Sequence, residues 1–183
     1  MIEHEFLTGG KLRYDHLLNR EWKPPQFDCY SMACDMFKDN CRVELTNYAR
    51  PDDWWIQEGF DLYNDHFYKE GFRIVEIKHV RELLPMDGIL MALPDLRRLE
   101  KTVTNHCSVY VGDGNIVHHL IGRRSQHEPY RGAYRNYTTM VIRHKDIPNL
   151  SDQSITKVDL MDRILPSKRA MLMGVMNDRK PKE

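Results

Sequence analysis

The strongest constraint on this chain is the stretch "NHCSVYVGDGNIVHHL" at residues 105–120. Apolar and polar residues alternate, the chain turns at Gly112-Asp113-Gly114, and alternation resumes. Period-two patterning on both sides of a glycine-bearing turn predicts a β-hairpin. The turn sets the register, and the register decides which side chains meet. A three-residue loop with Gly114 in the left-handed conformation pairs Val111 with Asn115 and sets Ser108 opposite His118. His106, Ser108, His118 and Leu120 then share one face. A two-residue Asp-Gly loop shifts the pairing and sets His106 with His119. Glycine on both sides of Asp113 favours the longer loop. Histidine is an uncommon choice for a plain hairpin, so the two arms become candidates for proton chemistry.

The rest of the chain supplies the other layer. "DCYSMACDMFKD" at 28–39 predicts a helix with Asp28 as N-cap. Ala33, Met36 and Phe37, with Cys29 or Tyr30, form its apolar stripe. A short helix is expected over 11–20, halted by Trp22 and Lys23-Pro24-Pro25. Residues 46–58 read as an irregular loop carrying an aromatic pair. Phe60, Tyr63 and Phe67 predict a helix over 60–70, with Gly71 just past its end. Strands are expected over 72–77, within 85–93 and over 137–144. Helices first, then a run of short, mostly antiparallel strands, give an α+β pattern with N-terminal helices packed on a short antiparallel sheet. One domain is expected over 1–148. Residues 149–183 read as a linker and a basic, Met-rich C-terminal tail, where Lys168, Arg169, Arg179, Lys180 and Lys182 outnumber Asp178 and Glu183.

Composition removes several function classes. The 27 Lys and Arg balance the 27 Asp and Glu, so the basic footprint of a nucleic-acid binder is missing. No run approaches the roughly 20 apolar residues that membrane insertion needs. The N-terminus is acidic where a secretory leader is basic and then apolar, so synthesis in a cytoplasm is expected. Cys29, Cys34, Cys41 and Cys107 then default to free thiols.

Cys29 sits just after the predicted N-cap, where unpaired backbone N–H groups and the helix dipole favour an anion. That placement lowers a thiol pKa, and the same N–H groups can stabilise an oxyanion formed beside the sulfur. The thiol lacks a base. His106 can be that base, and His118 behind it can fix the tautomer and orientation of His106, the task a carboxylate or asparagine performs elsewhere. The bland alternatives are a small buried cysteine and two satisfied histidines. A zinc site of one cysteine and two histidines ranks lower, because the close ligand spacings of zinc motifs are missing; no metal or other cofactor is expected. His119, Cys34, Cys41 and Cys107 read as structural. Trp54, Trp55, Tyr63 and Tyr130 are candidate groove walls for substrate, and Arg123 and Arg124 could meet substrate carboxylates.

Together, "FDCYSMACDMF", "PMDGILM" and "NHCSVYVGDGNIVHHL" resemble the NlpC-like family of papain-type cell-wall cysteine peptidases, over roughly residues 20–145. "RPDDWW", "LYNDHFYKEGF" and "HHLIGRRSQHEPYRGAYRNYTTMVIRH" are similar to its phage tail-assembly subgroup. The resemblance implies a papain-like fold, Cys29 as nucleophile, His106 as general base, His118 as the orienting third residue and Asp28 as the acidic neighbour of the nucleophile. It also implies hydrolysis within peptidoglycan stem peptides, typically between γ-D-glutamate and a diamino acid, and partners among phage tail-tip proteins in the virion. The rival expectation is a tail-tip assembly component that keeps the fold without needing the chemistry. Two departures stand out. "DCYS" replaces the usual Asp-Cys-Ser or Trp-Gly context, and "MDG" replaces the Gly-Asp turn.

Overall fold

A computed structural model describes residues 11–51, 53–57, 61–94 and 103–147. The expected linker and basic tail over 149–183 lie outside the described residues, as does Phe60. The longest helix among the described residues, α1, spans Cys29–Cys41. Asp28 starts it with a reciprocal cap. Its Oδ1 accepts from the Ser31 N–H at 2.8 Å, and its own N–H donates to Ser31 Oγ at 2.8 Å. Such a cap stabilises a helix by about 1 kcal/mol. Arg42 closes the other end in the left-handed region, with φ 54°. Met32, Ala33, Met36 and Phe37 are buried along one side, as the stripe predicts. Each large side chain so buried contributes about 1.5–3 kcal/mol.

Six strands follow: β1 (Phe72–Ile74), β2 (Gly88–Met91), β3 (His106–Gly112), β4 (Asn115–His118), β5 (Gln126–Pro129) and β6 (Thr138–His144). They form one antiparallel sheet in the order β1-β6-β2-β3-β4-β5. Alternation splits the sheet's side chains between two cores. Leu90, Cys107, Val109, Val117 and Ile142 join Phe37, Met36 and the rest of the α1 side. Ile89, Met91, Tyr110, Ile116 and Val141 build the second core with Leu83 and Tyr130. Gly88 lets β2 approach β6, because a Cβ there would meet Ile142 at 2.9 Å.

The hairpin turn corrects one detail of the expected geometry. Asp113 and Gly114 both have positive φ, 51° and 75°, as a two-residue type I′ turn requires. Asn115 pairs with Gly112, and a register shift between Tyr110 and Gly112 follows. The extra residue at this β-bulge resets the pairing, so Ser108 still faces His118. The shorter turn and the expected register therefore coexist.

Other boundaries moved for physical reasons. The expected 11–20 helix is a single 3-10 turn at Asp15–Leu17. Its backbone groups are taken by side chains from elsewhere: Asn40 bonds the N–H and C=O of Arg13, and Ser125 bonds Leu17 O and the Arg20 N–H. The 46–58 loop holds a 3-10 turn at Trp54–Ile56. The helix expected over 60–70 is α2, Leu62–His66, followed by turns to Gly71 at φ 86°. β1 stops at Ile74, as suits an edge strand pairing with β6 alone among the described strands. Three elements had no sequence signal: β5, a 3-10 turn at Val80–Glu82 and the short helix α3, Ala133–Asn136. β5 reads "QHEP", and polar residues with a terminal proline are how an edge strand avoids further pairing.

Candidate active site

The site begins at the N-terminus of α1. Cys29 is its first residue and is 7% exposed. Its neighbours come from two segments, α2 and β3. Tyr63 of α2 holds its hydroxyl 3.3 Å from Cys29 Sγ. Cys107 of β3 places its sulfur 3.1 Å from the carbonyl oxygen of Cys29. His106, the first residue of β3, also acts on the thiol and lowers its pKa. These groups hold the Cys29 thiol well below its ordinary range. Cys107 is the largest influence; burial opposes it, and His106 and the Tyr63 hydroxyl reinforce it. Burial pushes the other thiols the opposite way, Cys34 and Cys41 to about 12 and Cys107 well above its usual range. Burial likewise keeps the Tyr63 hydroxyl protonated, so it donates towards the sulfur. Cys107, expected to be merely structural, thus belongs to the surroundings of the thiol.

The imidazoles form a second line. His106 Nε2 lies 3.0 Å from His118 Nδ1, which leaves His106 Nδ1 as the ring nitrogen not engaged by His118. His118 Nε2 lies 2.9 Å from Glu128 Oε2 on β5, and the Tyr134 hydroxyl of α3 donates to the same oxygen. Burial drives the His118 pKa from 6.5 to about 4, His106 adds to the shift and Glu128 opposes it, so His118 is neutral at pH 7. Sequence reasoning missed Glu128 because the strand that carries it was not recognised.

Behind the thiol stands an ion pair that sequence reasoning also missed. Arg50 Nε and Nη2 clasp Asp28 Oδ2 at 2.9 and 2.6 Å, and Nη2 reaches Oδ1 at 2.7 Å. Tyr48 O and Asn47 Oδ1 accept from Arg50 Nη1, and the guanidinium lies over the Tyr30 ring. Burial and the neighbouring Cys29 push the Asp28 carboxyl above its ordinary range, and Arg50 and the Ser31 N–H offset that only in part. We take Asp28 as ionised, because every oxygen contact here comes from a donor. Arg50 sits in the stretch expected to be an irregular loop, and no local pattern marks it.

Several candidate substrate residues are placed otherwise than expected. Asp28 is closed off by its cap and by Arg50, so it has no free oxygen to offer a substrate. Trp54 and Trp55 are 4% exposed and Tyr130 is 8% exposed. They pack inside the two cores rather than lining an open groove. Tyr63 is buried against the thiol. A cleft of about 410 Å³ does open beside His106, lined by Asn105, Leu120, Arg123, Tyr134 and Tyr137 among others. Arg123 therefore stands at the cleft, whereas Arg124 bonds Glu21 and Asn19 O. His119 donates to or accepts from neither site histidine; its ring contacts Arg123 O and Trp22. Among the described residues, no group of three or more His, Cys, Asp or Glu is arranged to hold a metal ion. No described helix is long and apolar enough to cross a membrane.

A thiol at a helix N-terminus, packed on an antiparallel sheet whose central hairpin brings paired imidazoles to it, defines a papain-like α+β protein. The chain belongs to the NlpC/P60 family, whose profile matches residues 4–144. It is similar to the tail tip assembly protein K of Escherichia phage N15, 28% identical over 132 residues, covering 72% of this chain and 50% of that protein. It is also similar to the tail tip assembly protein K of Escherichia phage lambda, 28% identical over 130 residues, covering 71% of this chain and 60% of that protein. The chain thus spans about half the length of these relatives. Among solved structures, an NlpC/P60 family protein from Bacillus cereus aligns at 21% identity and TM-score 0.38, over 64% of this chain and 32% of its own. NlpC1 from Trichomonas vaginalis aligns at 15% identity and TM-score 0.46, over 71% and 40%.

Proposed function

We propose that this protein is a tail-tip-associated cysteine endopeptidase that cleaves peptidoglycan stem peptides, at the bond between γ-D-glutamate and a diamino acid. The observation that supports this reading is the 3.0 Å contact between His106 Nε2 and His118 Nδ1, beside a Cys29 thiol that His106 helps to lower. In this reading His106 Nδ1 takes the thiol proton and the Cys29 thiolate attacks the scissile carbonyl carbon. The backbone N–H groups at the start of α1 and the Tyr63 hydroxyl face the oxyanion that forms. His106 then returns the proton to the leaving amine, and a thioester remains on Cys29. Water adds to the thioester with His106 accepting its proton, and the carboxylic acid leaves as the thiol reforms. The cleft beside His106 is the candidate substrate entry. The similarity to two tail tip assembly proteins favours a place in a phage tail, with other tail-tip proteins as partners and local wall opening during assembly or DNA entry as the task. Residues 1–148 would form the peptidase unit, and 149–183 a basic segment suited to docking on those partners.

The test is digestion of purified peptidoglycan by the wild type and Cys29→Ala, with released stem fragments identified by mass spectrometry. The wild type is expected to release γ-D-glutamyl fragments, and Cys29→Ala to lose about 10³-fold or more of that rate. An inactive wild type that still incorporates into tails would replace the enzyme by the assembly component.

A further inference from the structure

We propose that Glu128 is a positioning residue: its carboxylate fixes the direction of the hydrogen bonds from His118 to His106, so that His106 keeps a bare Nδ1 as the base for the Cys29 thiol. The inference rests on the reading of Cys29 and His106 as nucleophile and base.

Until the thiol proton reaches His106, two imidazoles in series have a weakness as an acceptor. Each exists in two tautomers, and a pair joined by one hydrogen bond can run in either direction. If His118 carries its proton on Nδ1, it donates to His106 Nε2. His106 must then carry its own proton on Nδ1, and that nitrogen can accept nothing. If His118 carries its proton on Nε2, its Nδ1 accepts from His106 Nε2–H, and His106 Nδ1 is left with a lone pair. The second arrangement works and the first does not. Nothing within the two rings chooses between them.

Glu128 makes the choice. An ionised carboxylate only accepts, so at 2.9 Å from His118 Nε2 it demands an N–H there. The remaining directions follow in turn along the 3.0 Å contact between the two rings. Burial resists ionisation of Glu128, but the Tyr134 hydroxyl and the His118 N–H outweigh it and hold the carboxyl below its ordinary range. Arg123 adds positive charge on the same side. The Tyr134 ring also meets the His118 ring edge to face at 5.0 Å, which limits rotation of the imidazole. Four elements thus converge on one carboxylate: β4 with His118, the loop after it with Arg123, β5 with Glu128 itself and α3 with Tyr134. On the far side, His106 of β3 and the charge of Cys29 act on His118, and Cys107, Tyr63, Asp28 and Arg50 surround Cys29.

Two measurements test this without a substrate. Full-length protein with ¹⁵N-labelled imidazoles reports the tautomer of His118 directly by NMR at pH 7. The Nε2–H form is expected in the wild type, and a mixture of tautomers in Glu128→Gln, whose amide can donate as well as accept. A wild-type His118 in the Nδ1–H form overturns the proposal. The second measurement follows iodoacetamide alkylation of Cys29 against pH by peptide mass spectrometry. Glu128→Ala is expected to move the midpoint upward by about one pH unit, or about tenfold in rate at fixed pH, with Glu128→Gln in between. A folded variant with the wild-type profile overturns the proposal, and Glu128→Gln serves if Glu128→Ala fails to fold. The wall digestion assay separates the two readings. Activity with an unmoved Glu128 profile sinks only the positioning role. An ordered tautomer and a shifted profile in a protein that digests nothing support the positioning role and sink only the peptidase.

Discussion

The Cys29–His106 pair is flanked by two networks of opposite character. Behind the thiol, Asp28 and Arg50 form a closed ion pair with side chains 5% and 1% exposed. Behind the imidazole, His118, Glu128 and Tyr134 form a chain that starts fully buried and ends at a carboxylate whose side chain is 30% exposed. The first has two fixed charges and every donor spent on named acceptors. The second can change its charge by binding a proton. A closed pair can anchor the start of a helix but has no tautomers to order. An open chain can set the direction of proton flow, at the cost of tautomers that something must choose between. A third network shows that the closed pair is not itself a mark of chemistry. Arg143 of β6 donates to Asp87 Oδ1 at 2.6 Å and Oδ2 at 2.7 Å, equally buried, and joins the turn before β2 to the neighbouring strand. The same side chains that shape a helix N-terminus here clamp a sheet there.

The largest effect expected comes from breaking either closed pair. Arg50→Met and Arg143→Met each leave a buried carboxylate without its cation, and each should cost about 3–5 kcal/mol in urea unfolding. Their effect on the thiol should differ. Arg50→Met removes a positive charge from beside Cys29 and should slow its alkylation at pH 7, whereas folded Arg143→Met should keep the wild-type rate. Equal alkylation in the two variants would erase the distinction between anchor and clamp.

This contrast also marks what could be read in the sequence. Asp28, Cys29, His106 and His118 are legible because each sits at a position with its own local rule: an N-cap, a first helical residue, and two places on an alternating hairpin. Ser108 facing His118 followed from alternation even though the turn itself was shorter, since the bulge at Val111 restored the count. Arg50 and Glu128 obey no local rule. Arg50 is 22 positions from its partner in a segment without periodicity, and Glu128 lies on a four-residue edge strand whose composition resembles a loop. Side chains that act through long-range contacts from irregular segments leave no periodic signal, so the first layer of the site was visible and the layer supporting it was not. The aromatic residues erred for the opposite reason. Trp54, Trp55 and Tyr130 look like binding residues in a loop-rich context, yet a sheet with two covered faces needs large side chains to fill both cores.

An intermediate effect isolates the open chain. His118 has its pKa lowered from 6.5 to about 4 in the folded protein, chiefly by burial. The unfolded chain therefore takes up a proton as pH falls through about 6.5 while the folded protein does not. The stability tied to neutral His118 is complete above about pH 6.5, is lost progressively as pH falls, and levels off below about pH 4. Its size is on the order of 3 kcal/mol. Urea unfolding from pH 7.5 to 4 should show this slope in the wild type and a flatter dependence in His118→Asn. Identical slopes would mean that His118 takes up its proton at the same pH folded and unfolded, and burial would then not be what keeps the open chain neutral.

The smallest effect probes where the open chain ends. Tyr134→Phe removes one of two donors from Glu128 and leaves the His118 contact in place. The side chain of Glu128 is partly exposed, so water can replace the lost hydroxyl, and the stability change should be about 1 kcal/mol. The carboxyl should nonetheless titrate at higher pH, because the Tyr134 hydroxyl is the leading influence holding it down against burial. A ¹³C titration of the Glu128 carboxyl in both proteins measures that rise. Cys29 alkylation at pH 7 should hardly change, since an ionised Glu128 still requires the His118 Nε2–H. A large loss of stability with an unmoved carboxyl would assign Tyr134 to the core and not to the chain, and would leave the His118 N–H as the main donor keeping Glu128 charged.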